Sequence, residues 1–281
     1  LLSVRNINYN RGDWNQEEFR KDVSMGRVIA VANQKGGVGK TTTNVNLSAC
    51  LAVAGKKVLT IDIDPQGNTT SGLGIDKRTI EKSIYDVLIN GLDVRETIMK
   101  TKVENLDIIV SNIQLAGAEI ELVPMLSRET ILRRAIEPIR NDYDFILIDC
   151  PPSLGLITIN ALTASDKVLV PIQCEYYALE GLSQLLSTIQ LVRKHLNPQL
   201  EVEGVVLTMF DARTNLSLQV VEEVKKHFRD KVYRTIIPRN VRLGEAPSHG
   251  LPIILYDPKC VGAEAYSELA EEVIENEMEA I

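Results

Sequence analysis

Residues 29 to 43 read IAVANQKGGVGKTTT, and no other stretch restricts the fold as much. An apolar run (Ile29, Ala30, Val31, Ala32) leads into three glycines within four residues, then Lys40, three threonines and a helical pattern. That order describes a buried strand, a tight turn and the opening of a helix. The free N–H groups of a helix's first turn carry partial positive charge, and a glycine-rich turn aims further N–H groups at the same point. The segment is therefore a cradle for phosphate oxygens. Gly36, Gly37 and Gly39 permit the backbone geometry and close approach this needs. Lys40 would reach the β/γ-phosphates, and Thr41 would place a hydroxyl on Mg²⁺. A dinucleotide fingerprint fails on spacing, because Thr42 stands where its third glycine belongs.

The rest of the chain keeps an α/β rhythm. Strands are expected at 27 to 33, 58 to 62, 106 to 111, 145 to 149, 167 to 172, 202 to 210 and 234 to 238. Helices are expected at 40 to 54, 83 to 90, 178 to 194, 216 to 228 and 262 to 279, with helical segments through 116 to 140 interrupted by Pro124. DPQGNTTSGLG (64 to 74) reads as a glycine-rich polar loop. Apolar strands alternating with helices predict a three-layer α/β/α domain around a mostly parallel twisted sheet. Right-handed crossovers then gather the important loops at the strands' C-terminal edge. Asp62 and Asp64 follow one such strand, and Asp149 follows another (FILI, 145 to 148), where an aspartate can hold Mg²⁺ directly or through water.

Gln34 occupies the position, six residues before Lys40, where the ordinary phosphate-loop pattern has glycine, and Lys35 adds a second lysine. This form, KGGVGKT, resembles the deviant Walker A signature of the ParA/Soj, Min-system, nitrogenase iron protein and arsenite-pump ATPases. DIDPQGNTTSGLG and CPPSLG (150 to 155) resemble the two switch segments of chromosomal ParA/Soj partition ATPases. TMFDARTNLS (208 to 217) and IPRNVRLGEAPSHG (237 to 250) extend the likeness over about residues 25 to 275.

The resemblance implies an ATPase that uses ATP and Mg²⁺ and closes as a homodimer on two nucleotides. It implies nucleotide contacts from Lys35, Gly36, Gly37, Val38, Gly39, Lys40, Thr41 and Thr42, with adenine near Thr208, Met209, Pro238 and Asn240. Thr41, Asp62 and Asp149 fall at the metal, Asp64 orients the attacking water, and Lys35 reaches the partner's phosphates. Arg213 and Arg242 match arginines that bind nonspecific double-stranded DNA. The implied role is chromosome segregation on the nucleoid, with hydrolysis stimulated by a ParB/Spo0J-like protein. Positioning of a non-DNA cargo, control of replication initiation or sporulation, and a metabolic ATPase stand as alternatives.

Charge and cysteine usage discriminate among these. Net charge is −7, yet residues 204 to 242 carry eight Lys/Arg against four acids, while 264 to 281 carry seven glutamates and no Lys or Arg. The chain is thus acidic with a basic sector, and no base-reading motif is present, so any DNA contact is to phosphates. The glutamate-faced last segment opposes the anionic lipid that the Min-type ATPase binds, so no membrane partner is expected. Cys50, Cys150, Cys174 and Cys260 are scattered without a CxxC pair, which suits buried thiols in a reducing cytoplasm rather than an iron–sulfur cluster. Residues 1 to 24 are expected to be an extension ahead of a single ATPase domain at 25 to 281.

Overall fold

A computed structural model describes residues 26–175 and 180–278. The expected extension, and the start of the helix expected at 178, lie outside the described residues. Eight strands form one sheet: β1 (Arg27–Val31), β2 (Val58–Asp62), β3 (Ile98–Lys100), β4 (Leu106–Ile109), β5 (Phe145–Asp149), β6 (Lys167–Gln173), β7 (Glu201–Phe210) and β8 (Val232–Pro238). Their order is β3-β4-β2-β5-β1-β6-β7-β8, parallel throughout except for the short edge strand β3. The mostly parallel sheet expected from the sequence is present.

The helices are α1 (Lys40–Val53), α2 (Asn68–Gly72), α3 (Ile84–Asn90), α4 (Leu115–Glu121), α5 (Ile131–Ile136) and α6 (Leu156–Ala164). They continue with α7 (Glu180–His195), α8 (Asn215–Phe228), α9 (Val241–Glu245), α10 (Ile253–Tyr256) and α11 (Val261–Met278). Alternate residues of β1 separate the two cores. Val28 and Ala30 face the layer of α3 to α8, whereas Ile29 and Val31 face α1 and α11. Strands buried on both faces require this continuous apolar character. The acidic last helix lies against α1 and β8, with Tyr266, Leu269 and Val273 buried. Its Glu272 accepts the Thr235 N–H (3.1 Å) and hydroxyl (3.0 Å) of the edge strand β8.

Three expectations change. Residues 64 to 74 contain α2, because Gly67 turns the chain with φ 60° and opens a short helix. Leu156–Ala164 forms a helix that no periodic pattern announced. The edge strand β3 was likewise unannounced.

Candidate nucleotide site

β1 lies between β5 and β6 at the centre of the sheet, and its C-terminal end delivers the chain to the phosphate loop. Gly37 (φ 74°) and Gly39 (φ 90°) adopt left-handed backbone, which favours glycine. Gly36 does not, and a Cβ there would touch nothing in the chain, so only close approach from outside would require that glycine. Asn33 braces the loop by donating to Pro171 O (2.8 Å) and accepting from the Lys35 N–H (3.0 Å). Gly39 caps α1, whose first N–H groups face the loop. Lys40 is 7% exposed and donates Nζ to the Lys35 carbonyl at 3.0 Å. Burial lowers its pKa, while Asp149, Cys150 and Asp64 nearby act to raise it.

Parallel pairing of β2 with β5 sets Asp62 directly beside Asp149. Burial raises the pKa of both; the neighbouring Asp62 raises that of Asp149 further, and Asp64 acts in the same direction on Asp62. Thr70 donates its N–H (2.8 Å) and hydroxyl (2.7 Å) to Asp62. The Thr69 hydroxyl donates to Asp149 Oδ2 at 2.8 Å, and with nearby Thr41 it acts to lower the Asp149 pKa against burial. Asp149 Oδ1 is buried without a partner. A buried carboxylate oxygen lacking a donor is costly, and a divalent cation at this point would keep both acids ionised. The residues therefore fit Mg²⁺. Among the described residues no three His, Cys, Asp or Glu side chains converge into a ready-made cage. Mg²⁺ takes most of its shell from phosphates and waters.

Asp64 is 8% exposed and accepts the Gln66 N–H at 2.9 Å, which holds its carboxylate at the start of the second loop. Lys35 Nζ lies 3.9 Å from Glu175 Oε2, and Arg239 lies 3.8 Å from the other oxygen of the same carboxylate. A cleft of about 240 Å³ opens beside the phosphate loop. Thr208, Met209, Pro238 and Asn240 line it together with Gly39, Thr42, Leu243 and Tyr266. Thr208 donates its hydroxyl to Val38 O (2.8 Å), joining cleft to loop. Met209 holds φ 52°, a strained conformation for a side-chain-bearing residue and of the kind found at ligand clamps. A larger cavity, about 490 Å³, sits at the opposite edge beside Lys57, Asn105 and Tyr143, away from the loop.

The two arginines matched to DNA contact are outside this cluster and exposed. Arg213 pairs with Asp211 (2.7 Å), and Arg242 with Glu245 (2.8 Å) and Asp257 (3.4 Å). Several acids that pair with the basic sector come from outside it: Glu175, Glu245, Asp257, Glu272 and Glu275. The +4 counted along the sequence window thus overstates the sector's local charge. Sequence reasoning missed Thr69, Thr70 and Glu175. The threonine pair after GN was a usable signal, since hydroxyls at a strand-end loop can hold carboxylates. The thiols of Cys50, Cys150 and Cys174 are buried, and that of Cys260 is partly so.

A glycine-bent loop after the central strand, a buried lysine and paired aspartates on neighbouring strands define a P-loop nucleoside triphosphatase. A family profile described as "AAA domain" matches residues 26–202. The chain is 69% identical over 252 residues to the sporulation initiation inhibitor protein Soj of Bacillus subtilis, covering 90% of this chain and 100% of that protein. It is 52% identical over 269 residues to the chromosome partitioning protein ParA of Myxococcus xanthus, covering 96% of this chain and 93% of that protein. Cobyrinic acid a,c-diamide synthase of Mycobacterium smegmatis, solved with ADP and magnesium, superposes with TM-score 0.81 at 38% identity, covering 92% of this chain and 97% of that one. The chain belongs to the ParA/Soj family of deviant-Walker-A P-loop ATPases. It is an ATPase that uses ATP and Mg²⁺. Among the described residues no helix is long and apolar enough to cross a membrane.

Proposed function

We propose that this protein is a dimeric switch for chromosome segregation: ATP closes the dimer, the dimer binds DNA without regard to sequence, and hydrolysis releases it. Lys40 and the loop N–H groups take the phosphates, and the cleft beside Thr208 and Pro238 takes the adenine. Thr41, Asp62 and Asp149 hold Mg²⁺, which when bound neutralises charge on the transferred phosphoryl group. Asp64 orients the attacking water. Lys35 reaches the phosphates of the second subunit, and its long, part-exposed tether to Glu175 is weak enough to give way. Arg213, Arg242 and their neighbours meet DNA phosphates, which places the ATP form on the nucleoid. A ParB/Spo0J-like protein stimulates turnover.

The observation that carries this reading is the likeness to Soj over that protein's whole length. The 38% identity to a cobyrinic acid amidating enzyme favours a second, metabolic reading, at little more than half the identity. Sedimentation with ATP, ADP and no nucleotide separates them. The switch requires an ATP-specific dimer that Lys35→Ala abolishes while still binding ATP, and faster turnover when a ParB/Spo0J-like protein and DNA are added. A monomer in all nucleotide states, with turnover indifferent to that protein, would favour the metabolic reading.

A further inference from the structure

The segment 150–155 leaves Asp149 and ends where α6 begins, and α6 has no cap of its own. Its N-cap residue is Gly155, which offers no side chain to the free N–H groups of the first turn. The missing acceptor comes from another helix. Glu119 on α4 accepts the Leu156 N–H at 2.8 Å through Oε2 and the Ile157 N–H at 3.4 Å through Oε1. A carboxylate at a helix N-terminus also interacts favourably with the helix dipole. The glycine makes the approach possible: a Cβ on Gly155 would lie 2.4 and 2.7 Å from the two carboxylate oxygens. The Thr158 hydroxyl donates to Ser153 O (2.7 Å), fastening the loop to the same helix.

The other end of this region is fastened to the opposite aspartate. The Ser111 N–H donates to the Thr70 hydroxyl (3.0 Å), and that hydroxyl donates to Asp62 (2.7 Å). Residues 111 to 121 therefore run from a contact with Thr70, the partner of Asp62, to a contact with α6, the helix that follows Asp149. One chain segment thus contacts both loops, at Ser111 and at Glu119.

We propose that Glu119 is a positioning residue for phosphoryl transfer: by capping α6 from α4 it fixes the loop 150–155 that leaves Asp149, and so adds to the β2–β5 register that sets Asp149 beside Asp62. The inference rests on the reading of Asp149 as a Mg²⁺ ligand. Glu119 is bonded to the backbone of α6 and acts through it.

Two substitutions attack the contact from opposite sides. Glu119→Ala removes the carboxylate. Gly155→Ala leaves it present but displaces it, and the backbone there (φ −78°) accepts alanine without strain. Glu119→Gln keeps one acceptor oxygen without the charge. Glu121→Ala is the control, since Glu121 lies on the same helix but is bonded by Tyr85 (2.8 Å). Turnover, thermal melting, amide exchange at Leu156 and Ile157, and ATP affinity with Mg²⁺ and in EDTA are measured for each. Glu119→Ala and Gly155→Ala should each lower turnover about tenfold, the scale of a small misplacement of a reacting group. Both should speed exchange at the two amides and weaken Mg²⁺-dependent ATP binding. Affinity in EDTA should stay within about twofold of wild type, as expected when only the metal-linked part is disturbed. Glu119→Gln should fall between, and Glu121→Ala should match wild type. The proposal is overturned if turnover is normal in both variants, or if affinity falls equally with and without Mg²⁺ in step with lowered melting temperature. Asp149→Asn tells the levels apart. If it spares Mg²⁺ dependence, the metal reading fails and the coupling with it; if it removes Mg²⁺ dependence and the other two do not, the coupling alone fails.

Discussion

Asp149 and Arg213 are both ionisable and both hydrogen-bonded, but they stand in opposite surroundings. Asp149 is fully buried, held by Thr69, set beside Asp62 by strand register, and left with one unpartnered oxygen. The Arg213 side chain is 87% exposed and pairs with Asp211, two residues away. At the sheet edge, burial makes every charge costly unless it is met by an opposite one, so the site is a demand for a specific ligand. On the basic sector solvent screens each pair, and exchanging a neighbouring carboxylate for a DNA phosphate costs little. The first region can recognise Mg²⁺ and phosphates on a single chain. On the proposed reading, the second gains useful affinity for DNA only by collecting many weak contacts, which a second subunit would supply.

The contrast is broken first at Lys40. Lys40→Ala removes a buried cation from the phosphate position, and turnover is expected to fall about a thousandfold, as for other preorganised charge-stabilising groups. A steady-state assay with and without the substitution checks this; a loss of only a few-fold would mean the loop amides suffice. Asp64→Ala should retain ATP and Mg²⁺ yet turn over about a hundredfold more slowly, the usual scale for a residue that positions or activates water. Nucleotide titration beside single-turnover kinetics distinguishes this from a binding defect. Unchanged turnover would assign the water to another group.

The basic sector should respond more gently and in both directions. Arg213→Glu and Arg242→Glu should each weaken binding to any duplex by about tenfold while sparing ATP-dependent dimerisation. Asp211→Asn makes the sharper test, because it frees Arg213 from its intramolecular partner. Affinity for DNA should then rise by about twofold, a small gain consistent with a screened surface pair. A fall instead would show that Asp211 shapes the turn for binding rather than competing with phosphate. Fluorescence anisotropy with a labelled duplex reads all three.

The same burial contrast decided what the sequence disclosed. β5 falls at Phe145–Asp149 as expected, because a strand covered on both faces is a continuous apolar run closed by the aspartate and two prolines. α6 escaped for the related reason that Ile157, Ala161 and Leu162 are buried together with Thr158, Asn160 and Thr163, so no polar face marks a helical period. β3 has three residues, two of them exposed, too few to show alternation. Within the site, the lysines and aspartates were legible from spacing. The groups that hold them were not: Thr70 meets Asp62 across eight residues, but Thr69 meets Asp149 across 80. On the surface, the charge window missed acids that approach from α9, α10's following turn and α11.

ATP-controlled DNA binding is tested most directly by titrating a duplex of arbitrary sequence with the protein in ATP, in ADP and without nucleotide, at stepped salt. The switch predicts binding with ATP that is at least about tenfold tighter than with ADP, falls steeply as salt rises, and loses about one unit of salt slope for each phosphate-contacting arginine removed. An ATP-bound dimer without affinity for DNA at low salt, or equal binding in ATP and ADP, would contradict it.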